Sequence, residues 1–325
     1  MLTLKRYPFS IETLFGGIAS TFILFWSGQI IPILGQGISI FTPFPILYLT
    51  RSKGPGFGII LLLLTALVIG FFINLISSLF FLSEFGLLSW VMGRAWFKGE
   101  KVEWIWLKGF GVSVAAFIFT LYIISLKGNS GFNIFSKELS KSMEQTLIFY
   151  KKMGLAPDKA EELNAALKNF SIFLINILPA LFAIGIGFTA WLNLIVCRWF
   201  FKKRYPFIVD DKWSFKFWQL PEPLIWLPIG GAFLLLLKQY NLGRLGLNIL
   251  IITLFPYLIQ GFAIIYYYFD KKSIPLFIRM VGYAIILIVP AALIGTVALG
   301  LFDMWLNFRR IGISKKEISS KDNSN

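Results

Sequence analysis

Few side chains in this sequence are able to do chemistry. There is no histidine and a single cysteine, Cys197, at the end of an apolar run. That removes the commonest general base, every Ser-His or Cys-His nucleophile pair and any His/Cys metal site. A structural disulfide is excluded as well, and Cys197 reads as a small apolar residue. The group that stands out is Glu84, the only charge between Gly54 and Gly93. A carboxylate inside a membrane is costly unless paired or wetted, so it marks a candidate site. The competing reading places Glu84 in an exposed turn, fully solvated. Asn193 and Asn248 suit interhelical hydrogen bonds. Asp270 and Asp303 lie beside basic residues at the ends of apolar runs and read as interfacial ion partners. GPGFG, Gly54 to Gly58, follows no soluble strand and leads into an apolar run, so it is a turn and not a phosphate loop. Nothing in the chain could hydrolyse ATP, and no cofactor is expected.

The elements that must hold these groups are membrane helices. Hydrophobic residues make up 57% of the chain and charged ones 14%, with 35 Phe and 11 Trp. Soluble domains average about half apolar and a quarter charged. A formal charge of +15 would suggest nucleic acid in a soluble protein, but here Lys and Arg sit in short loops beside apolar runs. They are topology determinants, with membrane lipid as the expected partner and no nucleic acid.

The clearest span is Ser171 to Cys197, uncharged and about 40 Å long as a helix, enough to cross a core of about 30 Å. Arg198, Lys202, Lys203 and Arg204 mark its cytoplasmic end. Lys5 and Arg6 place the N-terminus on the same side, ahead of an uncleaved first span. Thr13 to Thr50 carries no charge and suits two crossings broken at GQIIPILGQG, Gly28 to Gly37. The second arm, with Pro43 and Pro45, is expected to be bent or partial. Gly54 to Gly93 suits two more, turning near Asn74 to Ser83, and a fifth runs from about Trp104 to Leu126. Between them, Phe135, Leu139, Met143, Leu147 and Tyr150 form one helical stripe, and Leu163, Leu167 and Phe170 another. These predict an amphipathic helical hairpin lying on the outer face, with Gly154 ending its first arm and Pro157 opening its second.

After Tyr205 comes an interfacial stretch containing Trp213 and Trp218, then apolar runs at Pro223 to Leu237, Gly246 to Phe269 and Ile274 to Phe302. Strict alternation would leave the basic tail outside, so either one late segment does not span or the orientation rule is broken here; the first run, with only fifteen uncharged residues, is the suspect. The reading is an all-α integral membrane protein, a polytopic bundle of eight or nine apolar segments. Its parts are a six-helix membrane domain at 1–205 with the hairpin at 129–169, an interfacial segment at 206–222, C-terminal helices at 223–308 and a disordered polar tail at 309–325.

LPEPLIW (Leu220 to Trp226), QGFAIIYYYFDKK (Gln260 to Lys272), GLFDMWLNFRR (Gly300 to Arg310) and SMEQTLIFYKKMG in the hairpin together resemble the YybS-like family of bacterial multi-pass membrane proteins. That family has no established activity. The resemblance implies a more remote one: the first two hundred residues look like the six-helix substrate-capture subunits of energy-coupling-factor vitamin transporters, and MreD is similar to the same fold.

The likeness to capture subunits implies a ligand near the outer side, under the loop joining helices one and two. Gln29 and Gln36 lie in that loop, and Asn74, Glu84 and Asn176 fall at similar depth. It also implies a docking face of small residues on helix one. Thr13 with Gly17 and Gly16 with Ser20 fit that spacing, although the paired Ala pattern of those subunits is absent. Such pairs, like Ala183 with Gly187 or Ala291 with Gly295, equally serve internal packing. Two function classes follow. One is a non-enzymatic subunit of the bacterial inner membrane that captures an unknown small molecule and is energised by separate membrane or ATPase subunits. The other is a cell-envelope scaffold similar to MreD, motivated by the hairpin and the C-terminal addition.

Overall fold

Uncharged runs of this length can satisfy their own backbone polar groups in a membrane only as helices. The computed structural model is accordingly built from helices, with no strand among the described residues. It describes residues 10–31, 34–126, 131–153, 157–204, 215–237 and 239–310. Two compact units divide the chain, Met1–Pro206 and Phe207–Asn325.

The first unit opens with α1 (Ile11–Ile30), whose N-cap Ser10 accepts from the Thr13 amide. The short α2 (Leu34–Ser39) folds back along it, with Gly35 against the Ser27 backbone and Gly28 against Ser39. After a break at Ile40–Thr42, α3 (Pro43–Lys53) runs for 11 residues. Gly54, at φ +105°, makes the turn that only glycine adopts without strain, and Pro55 opens α4 (Pro55–Phe72). The chain turns at Ile73–Asn74 into α5 (Leu75–Phe81), a π-turn (Leu82–Gly86) and α6 (Leu87–Phe97), which together form one apolar stretch of 23 residues. Then come α7 (Val102–Leu126), α8 (Gly131–Lys152) and α9 (Pro157–Arg204). Phe25, Ile46, Leu61, Ile69, Phe81 and Phe85 form the core where α1, α3, α4 and the π-turn meet.

Basic residues gather at one end of this unit. The Arg51 guanidinium lies 5.6 Å from the Trp96 ring and 5.8 Å from the Phe201 ring, and Tyr48 packs on Phe201. The ends of α3, α6 and α9 that carry Arg51, Arg94 and Arg204 therefore coincide, and we call this the basic end.

One expectation is corrected here. The second arm of the hairpin is not a separate helix lying on a surface. It is the first part of α9, which runs unbroken for 48 residues, about 72 Å against a core of about 30 Å. No glycine or proline separates Lys168 from the apolar run, so nothing stops the helix, and Pro179 is accommodated inside it. The hairpin of α8 and early α9 thus projects along the axis of a span. Residues 127–130 and 154–156, including the Gly154 stop, lie outside the described residues.

The second unit contains α10 (Trp226–Leu236), α11 (Tyr240–Lys271), α12 (Leu276–Ile288) and α13 (Pro290–Leu306). The run Ile274 to Phe302 is not one straight span: its two helices are bent by 102° at Val289–Pro290. Proline removes an amide and pushes the residue before it to extended backbone, and Val289 sits at φ −94°, ψ 109°. Among the described residues 6 helices are long and apolar enough to cross a membrane, or up to 7 if the bent pair counts as one, against the eight or nine apolar segments read from sequence.

The short run before α11 follows an unexpected course. Phe215 meets Tyr266, Lys216 pairs with Asp270, the Leu220 amide meets Gln260, and Gly231 packs on Gly246. Residues 215–236 therefore run antiparallel to most of α11, first as irregular backbone with two short 3₁₀ turns (Phe215–Phe217 and Glu222–Ile225) and then as α10. Described parts of the interfacial segment are thus packed against a helix, with Trp218 and Leu220 each 2% exposed. Residues 205–214 and 311–325 lie outside the described residues. Arg309, assigned by sequence to the tail, is buried.

Candidate functional site

Glu84 does not sit in an exposed turn. The turn falls at Ile73–Asn74, which puts Glu84 about 14 Å along the 23-residue stretch, near mid-membrane depth. Its helix is wound as a π-turn there, the local irregularity often found at functional sites. Serine hydroxyls patch the disturbed backbone on both sides. Ser83 Oγ donates to the Leu79 and Phe80 carbonyls, and Ser89 Oγ donates to those of Phe85 and Gly86. Glu84 itself is half-buried, with no hydrogen bond or ion pair among the described residues. Gly109 of α7 faces Leu88 and Met92, while Phe117 meets Phe80. Ser113, lying between them, comes at the level of Glu84, and its buried hydroxyl also lacks a partner.

The other candidate ligands are spread along the bundle. Gln29 and Gln36 are exposed near the far end of α1, and the Gln36 amide donates to the Gly28 carbonyl at 2.7 Å. Asn74 is the N-cap of α5, where its Oδ1 accepts from the Ser77 amide. Phe22 meets Phe72, so Gln29 lies about 10 Å beyond the end of α4. Phe182 meets Phe117, which puts Asn176 about 9 Å beyond that level, towards Asn74. From Gln29 to Glu84 the five span roughly 25 Å in depth. They do not form one pocket, because similar distance from a loop in sequence did not mean similar depth.

The small-residue face of α1 divides in the same way. Gly17 is buried against Leu49 and Leu61, and Ser20 Oγ donates to the Gly17 carbonyl. Gly16 faces open space, and Thr13 is half-buried beside it. Thr13 with Gly17 therefore serves internal packing, and only the Gly16 side is left outward.

A second irregularity lies near the depth of Glu84. The break at Ile40–Thr42 is about 16 Å from Lys53 along α3. Asn193 of α9 holds it, its Nδ2 donating to the Ile40 carbonyl at 2.8 Å and to Thr189 O, while its Oδ1 is buried without a partner. Asn193→Leu should therefore strand the Ile40 carbonyl and lower stability by about 1–3 kcal/mol, read as thermal unfolding in detergent. An unchanged midpoint would show that the break needs no such support. Asn248, by contrast, donates within its own helix to Arg244 O.

In the second unit the three sequence motifs converge. Asp303 accepts from Arg309 Nη2 at 2.6 Å, from Gln260 Nε2 at 3.2 Å and from the Phe308 amide at 3.0 Å. Gln260 Oε1 accepts from the Leu220 amide, and Arg309 Nη1 donates to the Lys216 carbonyl. Asp303 is thus no interfacial partner: its side chain is 1% exposed and that of Arg309 0%. Asp270 is the exposed pair, and its hydrogen bond raises the Lys216 ammonium above its usual range. Gln260 and Arg309 stood inside two of those motifs, but neither was singled out in sequence as a site residue. The signal was Gln260 standing in the uncharged, mostly apolar stretch Leu245 to Phe269. Their job is legible in the geometry. They satisfy backbone groups of the irregular segment 216–220, which otherwise would not be tolerated beside a membrane helix. Among the described residues no group of His, Cys, Asp and Glu is placed to hold a metal ion.

A family model described as a predicted membrane protein (DUF2232) matches residues 19–304 of the chain. No curated protein and no solved structure matches it.

Proposed function

The chain belongs to the DUF2232 family of predicted membrane proteins, and from that premise we propose that it captures a small solute or ion in its first unit. The observation that carries this is Glu84, an unpartnered carboxylate on a π-turn halfway along an apolar helix. Intramembrane carboxylates are functional by default because leaving them unpaired is costly. The break at Ile40–Thr42 adds to it, since membrane carriers place binding sites at interrupted helices near mid-depth. The likeness to energy-coupling-factor capture subunits is only what the YybS-like resemblance implies, and in this reading other chains supply the energy. Gln29, Asn74 and Asn176 then line an approach to Glu84 rather than a shared pocket. The clustering of basic residues at one end supports a cytoplasmic N-terminus in a bacterial inner membrane.

The test is ligand-dependent stability of the purified full chain across a panel of metabolites and ions. A true ligand at a hundred times its Kd should raise stability by about 2.7 kcal/mol, and Glu84→Gln should abolish the rise. A panel in which nothing shifts the wild-type protein would overturn the reading.

One observation favours the scaffold reading: α9 extends far beyond a bilayer's thickness and carries α8 alongside it. Deleting Gly131 to Asn169 should abolish association with a membrane or envelope partner if the hairpin is a docking arm. Ligand stabilisation that survives the deletion, with no partner lost, would favour capture instead.

A further inference from the structure

We propose that the second unit holds a separate binding site for a soluble organic cation, in a cleft lined by Glu222, Pro223, Ile225, Trp226, Met304 and Trp305. The cleft measures about 550 Å³, within the range of small-molecule sites. It lies where the irregular segment beside α11 becomes helix, beside residues of α13.

Depth makes Glu222 unusual. The Leu220 amide is held by Gln260, and Gly231 packs near Gly246 and Leu250, so Glu222 falls close to the level of Tyr257. Tyr257 is the midpoint of Leu245 to Phe269, the uncharged part of α11. An ionised carboxylate at mid-depth needs a partner, yet Glu222 has no hydrogen bond or ion pair among the described residues. The other described charges near this depth, Asp303 and Arg309, neutralise each other. What is left over is one negative charge facing a cleft.

The lining names the occupant. Trp226 and Trp305 are 70% and 61% exposed, and indoles attract cations through their ring faces. Beside a carboxylate they favour an ammonium group with apolar substituents. A proton would neutralise Glu222 but leave the cleft and both indoles without a role. A metal ion would lack oxygen ligands, since only one carboxylate is present. This site is independent of Glu84, so failure of the ligand panel there leaves it standing.

Benzyltrimethylammonium titrated into the full chain in phosphatidylglycerol nanodiscs, followed by calorimetry, tests it. Saturable binding should weaken about ten-fold in Glu222→Gln and in Trp305→Leu. The neutral carbon isostere should bind at least as weakly as the cation does to those variants. Glu222→Asp and Trp305→Phe, which keep charge and ring, should retain most of the affinity and show that loss is not misfolding. Equal binding of cation and isostere, or affinity unchanged in Glu222→Gln and Trp305→Leu, would overturn the proposal. Phosphatidylethanolamine discs separate the sources: unchanged affinity supports a soluble cation, whereas competition would hand the cleft to the lipid's ammonium and overturn that assignment.

Discussion

Arg309→Met should unfold the second unit at temperatures where the wild-type protein is intact. The Arg309 side chain is 0% exposed, and its partner Asp303 is 1% exposed. Removing the guanidinium leaves that carboxylate buried without its countercharge. Breaking a buried pair from one side typically costs about 3–5 kcal/mol. A further loss comes from the Lys216 carbonyl, which Arg309 Nη1 satisfies in the irregular segment. Arg309→Lys should fail nearly as badly, because an ammonium on a flexible stem cannot serve both acceptors in the geometry of a fork. Asp303→Asn combined with Arg309→Met should be less damaging than Arg309→Met alone, since no charge is then stranded. Thermal unfolding of the wild type, Asp303→Asn, Arg309→Met and the double variant in one detergent gives the coupling directly. If the double variant is no better than Arg309→Met, charge burial is not what holds this corner together.

How far such features were legible in sequence depends on what each required. Helices followed from apolar runs, because a membrane leaves the backbone no other local solution. The second arm, expected to be bent or partial from Pro43 and Pro45, is short: α3 starts at Pro43 and runs for 11 residues. The path of α9 was not, since amphipathic and apolar stretches joined without a breaker look like two elements and fold as one. Glu84 was legible as a lone carboxylate, but its depth was not, because the turn could fall anywhere from Asn74 to Ser83 on composition alone. Only the fold put it on a π-turn at the level of Ser113. The second unit was harder still. Residues 215–222 read as an interfacial loop because their charges and prolines break the pattern. Nothing local shows that Gln260 and Arg309, distant in sequence, satisfy that backbone and let it run along a membrane helix.

Gly300→Val should separate α13 from α11, whereas Gly295→Ala, on the same helix, should be tolerated. A Cβ at Gly300 would run into the Tyr257 carbonyl, and one at Gly261 would run into the Thr296 carbonyl. Both obstacles are backbone, so no rotamer change makes room and the two helices must move apart. Overpacking against side chains usually costs about 1–3 kcal/mol; against backbone, Gly300→Val should lie at or above the top of that range. Gly295 has nothing within 4 Å of an added Cβ, and a helical Gly→Ala change there gains up to about 1 kcal/mol of propensity. The spacing of small residues had pointed to Ala291 with Gly295, a pair the fold leaves open, while Thr296 with Gly300 makes the crossing. Unfolding midpoints of the two variants would decide it. A Gly300→Val midpoint matching wild type would mean the α11–α13 crossing is looser than drawn. The Asp303 network beside it would then have to hold the unit without that contact.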